Sequence, residues 1–137
     1  MIASKSSDRS QQVNWYVRKN TDVTLTLTFT SSGAYDIAAL TFLPRVYNLS
    51  GITILTPSQV NGGANGILTL SLTNTQTNIT ADEYWWRLDI TDPYDYAIIN
   101  GTFQINDFVW DSGNENNTGS ISVDINGTAV TISIVNT

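Results

Sequence analysis

Residues 83–105 read EYWWRLDITDPYDYAIINGTFQI. Through the first half, Tyr84, Trp86, Leu88 and Ile90 alternate with Trp85, Arg87, Asp89 and Thr91. A period of two sends one set to the core side of a β-strand and the other to its outer side. Asp92-Pro93 ends the run, because proline brings no ladder donor. A second strand follows over residues 97–105, with Gly101 in its middle. The stretch is a hairpin with a tight acidic, aromatic connection, and its apolar face needs further strands to cover it.

The chain on either side supplies them. Upstream, DVTLTLTFT (residues 22–30) sets Val23, Leu25, Leu27 and Phe29 against Thr24, Thr26, Thr28 and Thr30. A one-residue slip would put every apolar side chain in water, so its register is well specified. Residues 13–17 read as a short aromatic edge strand. Residues 40–49 read as a strand whose Pro44 marks a bulge or an edge position. Residues 51–55 form a short strand, and residues 67–73 another with Leu68, Leu70 and Leu72 inward. The NGGANG loop (residues 61–66) lacks the Lys-Ser/Thr and the helix of a phosphate-binding loop.

Downstream, Ile121, Val123 and Ile125 alternate up to Asn126-Gly127, and Thr128, Val130, Ile132 and Ile134 alternate after it. Asn-Gly suits a type I′ turn, which needs positive φ at both central residues. A two-residue loop pairs Ile125 with Thr128, Val123 with Val130 and Ile121 with Ile132, so the apolar residues share one side. An isolated hairpin is marginal in water. This one packs either on the main sandwich or on a copy of itself in a neighbouring chain.

No stretch of ten residues has a helical apolar period. The fold these patterns predict is all-β: an antiparallel immunoglobulin-like β-sandwich with a C-terminal β-hairpin. Tyr84, two residues before Trp86 at a strand start, loosely matches the tyrosine corner of such domains, with Trp86 where antibody domains carry a cysteine. The expected organisation is a basic arm over residues 1–12, a sandwich over 13–111, a linker loop over 112–119 and the hairpin over 120–137.

Composition narrows the chemistry. The 137 residues include no cysteine and no histidine. That excludes disulfides, thiolate nucleophiles, Cys/His zinc sites and imidazole acid–base catalysis. No segment approaches the roughly 20 apolar residues of a membrane helix. The opening MIASKSSDRSQQ has no apolar centre and does not read as a signal peptide. The net charge is −6, yet Lys5, Arg9, Arg18 and Lys19 all fall in the first 20 residues. Only Arg45 and Arg87 follow, against eleven acidic residues. An arm of opposite sign to its body is either a docking element or a solvated terminus. An acidic body argues against nucleic-acid binding.

The order of features resembles the N-terminal sandwich domain of bacteriophage baseplate upper proteins and related phage virion proteins. The matching residues, across 17–107, are Gly33 with Asp36-Ile37, Gly66-Ile67, Tyr84-Trp85-Trp86-Arg87-Leu88 and Gly101-Thr102-Phe103. The resemblance implies a non-enzymatic virion component that assembles with other virion proteins, in capsid, portal or tail, and forms a homo-oligomer such as a trimer. This chain ends soon after the sandwich, with no long helix or receptor-binding head, which fits capsid decoration or a short tail or baseplate adaptor rather than host recognition. No cofactor, nucleic acid or membrane is expected.

The candidate interface residues are Lys5 and Arg9 of the arm, Trp15, Trp85, Arg87 and Trp110, and Ile121, Val123 and Ile132 of the hairpin. An exposed indole is an interface anchor, and it is also the platform on which a sugar-binding module stacks a pyranose. A carbohydrate-binding sandwich for host-surface glycan is therefore the alternative function. For each of Trp15, Trp85 and Trp110 the plainer reading is core or rim packing. Asp89, Asp92 and Asp95 suggest hard-cation ligands by type, but their spacing matches no defined loop, so a solvated acidic turn is expected. No carboxylate pair is marked for glycoside hydrolysis.

Overall fold

The computed structural model describes residues 11–106 and 118–136. The chain folds into two packed sheets. The first contains β1 (Gln11–Gln12), β2 (Trp15–Arg18), β4 (Thr41–Tyr47), β5 (Thr53–Leu55), β8 (Glu83–Asp92) and β9 (Tyr96–Asn106). Its order is β1-β9-β8-β4-β5, with β2 also on β9. The second contains β3 (Val23–Thr30), β6 (Ser58–Asn61), β7 (Ile67–Leu72), β10 (Thr118–Ile125) and β11 (Thr128–Asn136), in the order β10-β11-β3-β7-β6. The chain changes sheet after β2, β3, β5, β7 and β9, the Greek-key habit of an immunoglobulin-like sandwich. The strands number eleven among the described residues, several of them only two to four residues long.

Alternation sets the core. In β3 every second residue is buried, and Leu25, Leu27 and Phe29 meet Leu68, Leu70 and Leu72 of β7 within it. The hydroxyls of the intervening threonines face out, where β-branched side chains suit a pleated surface. Pro44 lies on β4 opposite Leu88 of β8, while the β5 pairing reaches only Val46 and Tyr47. At Pro44 the strand thus lacks a neighbour on the β5 side, where a missing N–H costs nothing. Between β7 and β8, Asn74–Thr77 form one helical turn, α1, closed by a capping box in which Thr73 and Gln76 bond each other's backbone.

The C-terminal hairpin is part of the sandwich. Its register is Ile125 with Thr128, Val123 with Val130 and Ile121 with Ile132, and Asn126 and Gly127 have φ of 50° and 83°. Both values are positive, as a type I′ turn requires. β11 pairs antiparallel with β3, so Val123 and Ile132 are buried in this chain's own core. That corrects their assignment as interface residues: one edge of β3 was open, and β11 closes it. Ile121 stays half-buried. The linker expected over 112–119 gives up Thr118 and Gly119 to β10, and residues 107–117, Trp110 among them, lie outside the described residues.

The N-terminal strands run parallel to β9, against the antiparallel expectation. Between them the backbone of Val13 crosses Gly101 so closely that a Cβ there would come within 1.9 Å of the Val13 carbonyl oxygen. Only glycine permits that approach. The same carbonyl accepts the Trp86 indole N–H at 2.8 Å.

Trp15 is fully buried, which corrects its reading as an exposed anchor. The alternation of β2 turns Trp15 and Val17 inward, and the Trp15 ring packs edge-on against Trp86 and Phe103, with centroids 5.1 Å apart in each case. Its N–H donates to Asn136 Oδ1 at 3.2 Å, and Asn136 Nδ2 donates to the Tyr16 carbonyl at 3.0 Å. A buried indole needs such a partner, and here the last residue of β11 provides it. At the other end of the hairpin, the Asn126 amide donates to the Tyr96 hydroxyl.

Candidate interaction face

The outer side of the first sheet carries the side chains that core packing leaves unused. On β8, Trp85 and Arg87 point out while Trp86 and Leu88 point in. Across the β4 ladder Trp85 faces Tyr47, Arg87 faces Arg45 and Asp89 faces Leu43. Across β9, Trp85 faces Thr102 and Arg87 faces Asn100. Two arginines opposite one another on neighbouring strands repel. Asp89 resolves the conflict. Its carboxylate accepts from Arg87 Nε and Nη2 at 2.8 and 2.7 Å, a bidentate pair, and from Arg45 Nη2 at 3.0 Å. The hydrogen bond to Asp89 holds the Arg87 guanidinium above its ordinary pKa despite some burial. Arg45 also lies 5.5 Å from the Tyr47 ring centroid, a cation–π contact.

Asp89 therefore does not belong to a solvated acidic turn. It is buried and bonded to both arginines, because the alternation of β8 puts it on the same face as Arg87 and the β4 ladder brings Arg45 beside it. Asp92 and Asp95 remain exposed. Among the described residues no group of three or more acidic side chains converges on a point that would hold a metal ion.

Beside the arginines lies an apolar ledge. Trp85 is 46% exposed, Leu49 in the β4–β5 turn is 69% exposed, and Ile52 and Ile54 of the same hairpin are also exposed. Tyr47, Asn48, Leu49, Trp85, Arg87 and Asn100 line an open cleft of about 460 Å³. The turn is shaped by Asn48, whose Oδ1 accepts the amides of Ser50 and Ile52 at 2.9 and 3.0 Å. This Asx-type arrangement presents Leu49 at the tip.

Of the sequence candidates, the structure brings Trp85 and Arg87 together on this face. Trp15, Val123 and Ile132 lie in the core, and Ile121 lies on the other sheet. Lys5, Arg9 and Trp110 fall outside the described residues. Sequence reasoning did not select Arg45, Tyr47, Asn48 or Leu49. Arg45 had one signal: it and Arg87 are the only cations after residue 20. The others depend on the fold of the β4–β5 turn.

Neither a protein family nor a curated protein matches the sequence. Among solved structures, the chain is similar to a chain in the crystal structure of ICOS in complex with ICOS-L and an anti ICOS-L VNAR domain, at 10% identity. The match covers 92% of this chain and 87% of that one, with a TM-score of 0.41.

Proposed function

We propose that this protein is a non-enzymatic structural subunit of a bacteriophage virion, and that it binds neighbouring subunits through the outer face of its first sheet. The observation that carries the assembly role is the ledge of Trp85 and Leu49 beside the Arg45–Asp89–Arg87 cluster. A large exposed indole next to a fixed guanidinium is the composition of interface hot spots. The virion setting rests on the sequence resemblance over residues 17–107. Repeated copies in a symmetric particle turn modest contacts into firm attachment. The test is mass spectrometry of purified particles, comparing the native protein with a Trp85→Ala, Leu49→Ser double variant. The native protein is expected in the particle at a fixed copy number and the variant is expected to be lost from it. Absence of the native protein from particles overturns the virion reading; full retention of the variant overturns the choice of face.

A second reading is favoured by the cleft itself, where the indole of Trp85 neighbours the amides of Asn48 and Asn100. Such a set stacks and hydrogen-bonds a pyranose ring. A glycan array with Trp85→Ala as control decides it: binding that the substitution removes supports a glycan role, and no binding dismisses it.

A further inference from the structure

The cleft beside Trp85 is charged on one wall. Among the described residues that line it, Arg87 is the sole ionised group at neutral pH, and none carries a carboxylate. The surrounding body is acidic, with eleven Asp and Glu after residue 20 against Arg45 and Arg87. A wall of this body that bears a cation and no acid is set apart from the rest of it.

Arg87 is half used. Asp89 takes its Nε and Nη2 at 2.8 and 2.7 Å, the side fork of the guanidinium. A guanidinium offers five N–H donors in a fixed planar array. The end fork, between Nη1 and the second proton of Nη2, stays open, since both hydrogen bonds of this side chain among the described residues go to Asp89. The side chain is 46% exposed. Clamped by Asp89, it presents that fork with little rotamer freedom left to lose. Asn48 is fixed in a similar way. Its Oδ1 is occupied by the amides of Ser50 and Ile52, so its Nδ2 is the group it can offer a ligand. Arg87 and Asn48 thus supply N–H donors, which a ligand rich in acceptors satisfies.

On the glycan reading of this cleft, on which the step depends, we infer that the ligand is an acidic sugar. A uronic acid ring stacks on the Trp85 indole, and its carboxylate takes the open fork of Arg87. Trp85 and Arg87 are two residues apart on the outer face of β8, so their Cα atoms are about 7 Å apart. A carboxylate borne directly on a ring over the indole is then within reach of the guanidinium. Its two coplanar oxygens match the fork with two parallel, charge-assisted bonds. A neutral hydroxymethyl at the same ring position gives the fork one weaker acceptor. The cleft volume of about 460 Å³ lies in the range of small-ligand sites.

The test titrates the isotopically labelled full chain with a glucuronate-containing oligosaccharide and with the same compound after carboxyl reduction, which converts each glucuronate to glucose. The readout is the Trp85 indole N–H resonance, at about 0.15 M salt to screen the acidic body. The acidic form is expected to bind about tenfold tighter than the reduced form, as a charge-assisted bond contributes. Arg87→Gln is expected to remove that difference and leave the affinity for the reduced form unchanged. A thermal melt confirms that the variant is folded. Equal affinity for the two forms in the native protein overturns the acidic-sugar inference and leaves the glycan reading standing. A preference that survives in Arg87→Gln overturns the assignment of the carboxylate to Arg87. Binding of neither form overturns the inference together with the glycan reading, and leaves the subunit contact as the use of this face.

Discussion

Trp85 and Trp86 are adjacent in sequence and opposite in consequence. Trp86 is 1% exposed, packs on Trp15, and gives its N–H to a carbonyl of the crossing N-terminal segment. Trp85 stands half in water beside an ion cluster that has no part in the core. One strand thus sends one indole into the core and the next to the outer face by the direction of each side chain. The second sheet divides differently: its outer face is mostly threonine and serine hydroxyls, with Val60, Ile67 and Val135 exposed among them. Small hydroxyls keep that surface solvated, whereas the outer face of the first sheet concentrates aromatic and charged side chains.

Substitutions along β8 test this division. The largest effect is expected for Trp86→Ala, which empties the centre of the aromatic cluster and leaves the Val13 carbonyl without its donor. A loss of about 3–5 kcal/mol in chemical denaturation follows from truncating a buried aromatic residue. A loss below about 1 kcal/mol would mean that Trp86 does not hold the two sides together.

Next comes Asp89→Ala, which leaves Arg45 and Arg87 facing each other. The expected cost is about 2–3 kcal/mol, less than for a fully buried pair because Arg87 is largely in solvent. Added salt should recover part of it by screening the two cations. No salt dependence of the difference would show that Asp89 acts by packing alone.

Tyr84→Phe removes the bond from the Tyr84 hydroxyl to the Thr80 carbonyl, 2.6 Å long, which is the tyrosine-corner contact itself. About 1 kcal/mol is expected. Burial first, and the Asp82 carboxylate second, push the Tyr84 phenol above its ordinary value of 10.0. A raised folded-state value favours the protonated form, so its contribution is complete below pH 10 and is lost as pH climbs through the raised value. Thermal melts from pH 8 upward should therefore show a shallower alkaline decline for the variant. Tyr35, raised mainly by burial, keeps the slope from vanishing.

The smallest stability effect belongs to Trp85→Ala, within about 0.5 kcal/mol as for other surface positions. If melting shows a large loss instead, Trp85 is a packing residue and the ledge loses its claim to recognition.

Some of this was decided locally. The alternation in β3, the Asn-Gly turn with its register, and the two faces of β8 depend on pleat geometry and turn chemistry over a few residues, so the chain alone determined them. The sandwich class followed from their number and spacing. The burial of Trp15 did not follow, because it requires Asn136, at the far end of the chain, to receive the indole N–H. Nor did the parallel pairing of β1 and β2 with β9, which rests on the absence of a Cβ at Gly101 where Val13 crosses. Asp89 read as one of three acids in a turn until β4 brought Arg45 beside it. Local periodicity states which way a side chain points; only the docking of distant strands states what it meets.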